Sequence, residues 1–272
     1  MKKKGTIILL IVAVLAVAAA IAFDISNDKK SSPQYPVIKF DSDTIDLFVD
    51  ATEADLLDGV TATDPEDGDI TKSIVIEGIS GITDGTSVKV TYAAVDSQNH
   101  VTKAERTVNY IDYTRPRFSM SRPLIFGNAK EINFMPYITA TDVFEGDISG
   151  RIKYSLVNSA TIEDEAGEYE IKISVTNKLG DTVSIPLTVG ISDEYANWDK
   201  ITLSDYLVYA ERGTPFDPKA YVVSYTDGKR EIESARGLSI INNVNTDEPG
   251  VYIVEYSASR GASKTRLVVV VE

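Results

Sequence analysis

Asp64, Glu66, Asp67 and Asp69 place four carboxylates within six residues. Asp142, Glu145 and Asp147 repeat the arrangement 78 positions later. Two chemistries fit such a run. Hard cations such as Ca²⁺ take six to eight oxygen ligands, several of them carboxylates, so Asp64, Asp67, Asp69, Asp142, Glu145 and Asp147 are candidate metal ligands. Asp also accepts hydrogen bonds from nearby backbone and opens turns, while Gly supplies positive φ, so "DPEDGD" equally describes a solvated turn. The two uses predict different surroundings. Ligands converge on one point, whereas turn acids each face their own amides.

The rest of the chain offers little for catalysis. There is no cysteine and one histidine, His100, beside Asn99 in a polar stretch that reads as a hairpin turn. A lone histidine without a nucleophile and an orienting partner makes no catalytic set. No Gly-rich phosphate loop and no zinc spacing occurs, so the chain is expected not to be an enzyme. Aromatic residues are the other candidates for binding. Trp198 and Tyr195 sit close together, with Tyr206 and Tyr209 soon after and Tyr221 and Tyr225 beyond. Such rings stack on sugars, anchor a partner protein, or pack within a sheet.

What must position these residues is a set of strands. "GTSVKVTYAAVDSQNHVTKAERTVNYI" (85–111), "GEYEIKISVTNKLGDTVSIPLTVGI" (167–191) and "GVYIVEYSASRGASKTRLVVVV" (250–271) each read as strand, polar turn, strand. Val88, Val90 and Tyr92 alternate with polar neighbours, as do Tyr169, Ile171, Ile173 and Val175, which predicts half-buried antiparallel strands. Only the leader and Thr52–Gly59 suit a helix. Three repeats of this kind predict an all-β chain of tandem sandwiches, at 36–112, 113–192 and 193–272. The short joints suggest units in a row with restricted bending.

The N-terminus supplies a different signal. After three lysines, Thr6–Phe23 is uncharged for eighteen residues, about 27 Å of helix, which suits one transmembrane anchor over residues 1–23 with the N-terminus inside. The alternative is a signal peptide cut after Ala20-Ile21-Ala22, giving a secreted protein. The start also resembles a type IV pilin leader, but Leu10 stands where that family wants Glu. Residues 24–35 are polar and read as a linker. The net charge is −14, and residues 36–112, with 5 basic and 16 acidic residues, carry −11 of it. That balance excludes nucleic acid as a partner and suits an exported, soluble surface.

Ala62-Thr63-Asp64, Asp67-Gly68-Asp69-Ile70, the strand Val88–Tyr92 and Asp96 together resemble the bacterial Ig-like repeat, a family of bacterial surface proteins also found in an insecticidal crystal toxin. The second repeat keeps Ala140-Thr141-Asp142 and Gly146-Asp147-Ile148 but has Asn177 where Asp96 stands. The third keeps the Tyr-rich hairpin and has Lys229 in place of the acid. The resemblance implies tandem Ig-like domains and says little about a ligand. The acidic stretch of the second repeat also resembles the Asp-rich turn of cadherin repeats, which implies calcium between successive domains. The expectation is a membrane-anchored structural or adhesive protein of a bacterial surface, with a carbohydrate- or cell-wall-binding module array as the alternative.

Overall fold

The computed structural model describes residues 34–83, 85–127, 132–157, 166–193, 201–226, 230–258 and 264–272. The expected anchor lies outside these residues, and among them no helix is long and apolar enough to cross a membrane. The chain divides into two compact units. The first takes the described part of Met1–Leu47 with Ala51–Ser80 and Ser87–Asn109; the second takes Phe48–Asp50, Gly81–Thr86 and Tyr110–Glu272.

The first unit holds β1 (Val37–Phe40), β2 (Thr44–Leu47), α1 (Glu53–Leu57), β3 (Val60–Asp64), β4 (Gly68–Asp69), β5 (Val75–Ile79), β6 (Ser87–Val95) and β7 (Val101–Tyr110). They form a three-stranded sheet, β1-β3-β4, and a four-stranded one, β2-β7-β6-β5. The period-two pattern is realised on β6, where Val88, Val90 and Tyr92 are each 0 % exposed. Phe40 of β1 packs on Tyr92 of β6, with ring centroids 5.4 Å apart, which closes the two sheets into a sandwich. The Tyr92 hydroxyl, buried by that packing, donates to the Leu56 carbonyl at the end of α1.

The second unit repeats this plan twice. β8 (Arg117–Met120), β9 (Ile125–Phe126), β10 (Ile138–Asp142), β11 (Gly146–Asp147), β12 (Lys153–Leu156), β13 (Gly167–Thr176) and β14 (Thr182–Ile191) give sheets β11-β10-β8 and β12-β13-β14-β9. β15 (Ile201–Leu203), β16 (Leu207–Ala210), β17 (Val222–Thr226), β18 (Glu231–Ile232), β19 (Leu238–Asn242), β20 (Gly250–Ala258) and β21 (Lys264–Val271) give β15-β17-β18 and β16-β21-β20-β19. Most neighbours are antiparallel; β9 joins β14, and β16 joins β21, in parallel. The described residues are thus β-sandwich in class, with one short α-helix and a few 3₁₀ turns among them.

The last two sandwiches share a core. Leu207, Val268 and Val270 of the third pack in one buried cluster with Phe118, Met120, Leu124 and Phe126 of the second. The opposite face of the same strand, Leu267, Val269 and Val271, faces the third sandwich's own interior. This explains why "LVVVV" in β21 breaks the polar–apolar alternation seen elsewhere: both faces of the strand are covered.

Candidate functional site

The acidic repeat sits at the same corner of the first and second sandwiches. β3 turns into β4 through Pro65, Glu66 and Asp67, and β10 turns into β11 through Val143, Phe144 and Glu145. The pairings are Thr63 with Asp69 and Asp64 with Gly68 in one, and Thr141 with Asp147 and Asp142 with Gly146 in the other. Gly68 and Gly146 have φ of +76° and +71°, a conformation L side chains rarely adopt, so the glycine of Gly-Asp-Ile is set by the turn. A hydroxyl follows each glycine by three residues and holds the strand behind it. Thr71 Oγ1 accepts from the Ala62 amide, and Ser149 Oγ from the Ala140 amide. The thirteen-residue repeat is therefore one turn device built twice.

Within it the acids face separate donors. Asp64, 4 % exposed, accepts at Oδ1 from the amides of Glu66 at 2.8 Å and Asp67 at 3.0 Å. Asp67 reaches the β6–β7 turn, where the Ser97 amide and hydroxyl donate to it at 2.7 and 2.9 Å. Glu66 receives the Gln98 side-chain amide at 2.7 Å. Asp69 accepts from the Thr71 amide, and hydrogen bonds from Thr71 hold its carboxyl below the usual range. In the second sandwich, Glu145 is bound by two nitrogens of Arg151 and by the Lys178 amide. The Arg151 bond is the main cause of its lowered pKa. Asp147 is held below the usual range by the Ser149 hydroxyl and then the Ser149 amide. Among the described residues no group of three or more His, Cys, Asp or Glu side chains is arranged to hold a metal ion. The six candidate ligands accordingly split between turn amides, side-chain donors and an ion pair.

The deeper members of both corners come from the hairpin opposite. In the second sandwich Asn177, 4 % exposed, accepts at Oδ1 from the amides of Leu179 and Asp181, both at 3.0 Å. Its side-chain amide donates to Asp142 Oδ2 at 2.9 Å and to the Tyr113 hydroxyl at 3.0 Å. Tyr113 in turn donates to Asp181, which Arg115 also binds at 2.6 Å. The Arg115 bond is the first cause of the lowered Asp181 pKa, outweighing the opposing effect of burial. In the first sandwich Asp96 has the place of Asn177. It accepts at Oδ1 from the amides of Gln98 at 2.9 Å and His100 at 2.7 Å, and its Oδ2 lies 2.7 Å from His100 Nδ1. His100 is thus a turn residue, as expected, with the Tyr35 ring 5.1 Å away. Asp96 and Asn177 were visible in the sequence as the point where two repeats differ. Nothing there showed that Asn177 bonds Asp142, the first acid of the facing turn.

The aromatic candidates divide differently. Trp198 and Tyr195 lie outside the described residues. Tyr206 and Tyr209 are half-buried at the joint of the second and third sandwiches. The Tyr209 hydroxyl accepts from the Phe118 amide at 2.8 Å, and Arg117 lies 4.8 Å from its ring centroid. The Tyr206 hydroxyl accepts from the Leu203 amide, and its backbone amide donates to the Met120 carbonyl. Of the other two tyrosines, Tyr221 stacks on Phe216 and Tyr225 is buried.

No protein-family model matches this sequence, and no curated protein matches it. Among solved structures, the chain is similar to one described as the second CBM51 module with GlcNAc and INT domains from Clostridium perfringens ZmpB, at 18 % identity over 87 % of this chain and 41 % of that one, TM-score 0.23. It is also similar to the protocadherin gammaB4 extracellular domain, at 12 % identity over 88 % of this chain and 49 % of that one, TM-score 0.21. A third is mouse cadherin-23 EC22–24, at 14 % identity over 88 % of this chain and 99 % of that one, TM-score 0.20. The chain thus spans less than half the length of the first two. The sandwich fold rests on the sheet pairing itself, and these likenesses carry no argument about function.

Proposed function

We propose that the chain is a structural and adhesive protein of a bacterial surface, held by its N-terminal apolar segment and presenting Ig-like sandwiches outside the cell. The observation that carries this reading is the core common to the last two sandwiches. Leu207, Val268 and Val270, each at most 9 % exposed, tie the third sandwich into the second. Arg266 adds an ion pair to Glu168 across the joint at 2.6 Å, and Arg117 pairs with Glu272. Tandem domains joined only by linkers move relative to one another by default, and a large apolar joint removes that freedom. A stiffened pair suits presentation and load-bearing.

The reading involves no catalytic step and no nucleic acid. A carbohydrate- or cell-wall-binding array would need exposed aromatic platforms; of the described aromatic candidates, Tyr206 and Tyr209 are engaged in the joint instead. Protease treatment of intact cells tests the proposal. The expected result is loss of residues 36–272 from the cell surface, together with loss of attachment to partner cells or matrix. Protection of those residues in intact cells, or unchanged attachment after their removal, overturns it. Retained binding to purified glycans by Tyr209→Ala, with attachment to proteins absent, would favour the array.

A further inference from the structure

Each sandwich ends its four-stranded sheet with the strand that precedes its long hairpin: β5 in the first, β12 in the second and β19 in the third. Among the described residues no strand pairs with their outer sides. Such an edge offers unpaired N–H and C=O groups to any strand that comes alongside, and sequences block it with bulges, charges or Pro. Two of the three edges are blocked. β5 breaks register between Ile76 and Gly78, and Glu77 at the break is ion-paired with Lys103. β12 opens on Lys153, two residues after Arg151.

β19 carries neither device. It pairs with β20 without a break, from Leu238 opposite Ala258 to Asn242 opposite Val254. Its stretch "GLSIINNVNT" (237–246) has no charged residue and no Pro, in a chain where 25 % of residues are charged. Ser239 and Ile241 share the outer face, and both are exposed, Ile241 by 52 %. Leu238 and Ile240 pack on the third sandwich's core yet stay only partly buried, because the flank that a further strand would cover is open. Uncharged, β-prone segments without Pro are the ones that pair with copies of themselves, and Asn side chains add ladders to such pairing.

Charge decides which strand fits. The chain is −14 overall, so two copies repel over most of their surface. At this edge they do not. Beside Ile241 the outer face carries Glu255, paired with Arg266 at 2.9 Å, and beside Ser239 it carries Ser257 and then Lys264. The acid is neutralised within its own row, and a strongly acidic or basic strand finds no complementary charge on β19. An uncharged strand fits, and the chain's own β19 is one.

We propose that β19 is a self-association edge: two copies of the chain pair their β19 strands antiparallel about a two-fold axis, joining two four-stranded sheets into one. The added strand covers Ile241 on the outer face and the open flanks of Leu238 and Ile240. With no charge in the strand, no register sets like charges opposite one another. So short a pairing buries far less than the about 1,600 Å² of a standard interface, so the dimer is weak and reversible.

The chain has no cysteine, so single substitutions report the pairing cleanly. The test oxidises the full-length chain in detergent with one cysteine at a time, in Ser239→Cys, Ile240→Cys, Ile241→Cys, Asn242→Cys and Asn243→Cys, with Glu77→Cys on β5 as the blocked-edge control. In a two-fold antiparallel pair only the residue at the axis meets its own copy, at about 5 Å between Cβ atoms, and a residue two positions away lies about 14 Å from its own. A disulfide dimer is therefore expected at one position, absent two residues to either side, and absent at Glu77→Cys. Sedimentation velocity of the cysteine-free chain should show a dimer forming by about 0.1 mM. Ile241→Lys puts a charge at an exposed position; it should weaken the dimer roughly tenfold or more and leave the melting temperature unchanged. Equal cross-linking at every position, or a dimer undiminished in Ile241→Lys, places any association elsewhere and overturns the proposal. A monomer with no cross-link overturns it too, and leaves the edge to a foreign strand.

Discussion

A single amide separates a satisfied corner from an unsatisfied one, where Asp64 Oδ2 is buried and has no hydrogen-bond partner. The Asn177 side chain makes four hydrogen bonds, two as acceptor from the turn and two as donor to Asp142 and Tyr113. An aspartate there keeps the acceptor bonds and loses both donated ones. Asn177→Asp is therefore expected to recreate the first corner's charge in the second sandwich. It should destabilise by about 2–4 kcal/mol at neutral pH, the range for a buried charged group left without its partner. Urea unfolding followed by a probe in residues 117–191 checks this. A loss under about 0.5 kcal/mol, the ordinary surface effect, would show that Asp142 Oδ2 finds another donor and that the amide is incidental. The acids themselves were legible in the sequence, and so was the difference between Asp96 and Asn177. Their meeting was not, because it joins residues 35 apart across two sheets, and spacing along one strand carries no information about what lies opposite.

Elements follow local rules where their surroundings are simple. The brief helix expected in Thr52–Gly59 forms over Glu53–Leu57 because Thr52 and Asp55 cap one another: the Asp55 amide donates to the Thr52 hydroxyl oxygen, and Asp55 accepts from the Thr52 amide. One turn is too short to persist without help, so the capping box and the burial of Leu56 stabilise it together. Thr52→Ala should cost about 1 kcal/mol and speed hydrogen exchange at the Leu56 amide, and an unchanged rate would place the stability of α1 wholly in Leu56. Strands obeyed period two wherever one face meets water, as on β6. The rule fails on β20 and β21 for a physical reason. Val251 of β20 and Val268 and Val270 of β21 pack toward the second sandwich, while Val254, Leu267 and Val269 pack into the third. A strand covered on both sides has no polar face to mark its register, so the sequence shows the strand and hides the neighbour.

At the scale of the molecule, that hidden neighbour changes how the second unit holds together. Short joints suggested sandwiches in a row with restricted bending, and nothing in the sequence showed a core common to two of them. In residues 110–272 the cluster of the second sandwich runs on into the third through Leu207, which is 4 % exposed and pairs beside Val268 in the parallel β16–β21 ladder. Independent sandwiches would open separately, each with its own free energy. A common core makes opening of one expose apolar surface of the other, so the two should open together. Native-state hydrogen exchange reads this directly at two fully buried positions, Ile171 of β13 and Leu267 of β21. Their amides should share one opening free energy. Leu207→Ala leaves a cavity in the common cluster and should lower both by the same amount, about 2–5 kcal/mol. If protection falls at Leu267 while Ile171 is unaffected, the joint is a contact between separate domains, and a stiff body for display loses its basis. If both fall equally, load applied to the third sandwich is carried by the core of the second, the mechanical property a surface-presenting pair requires.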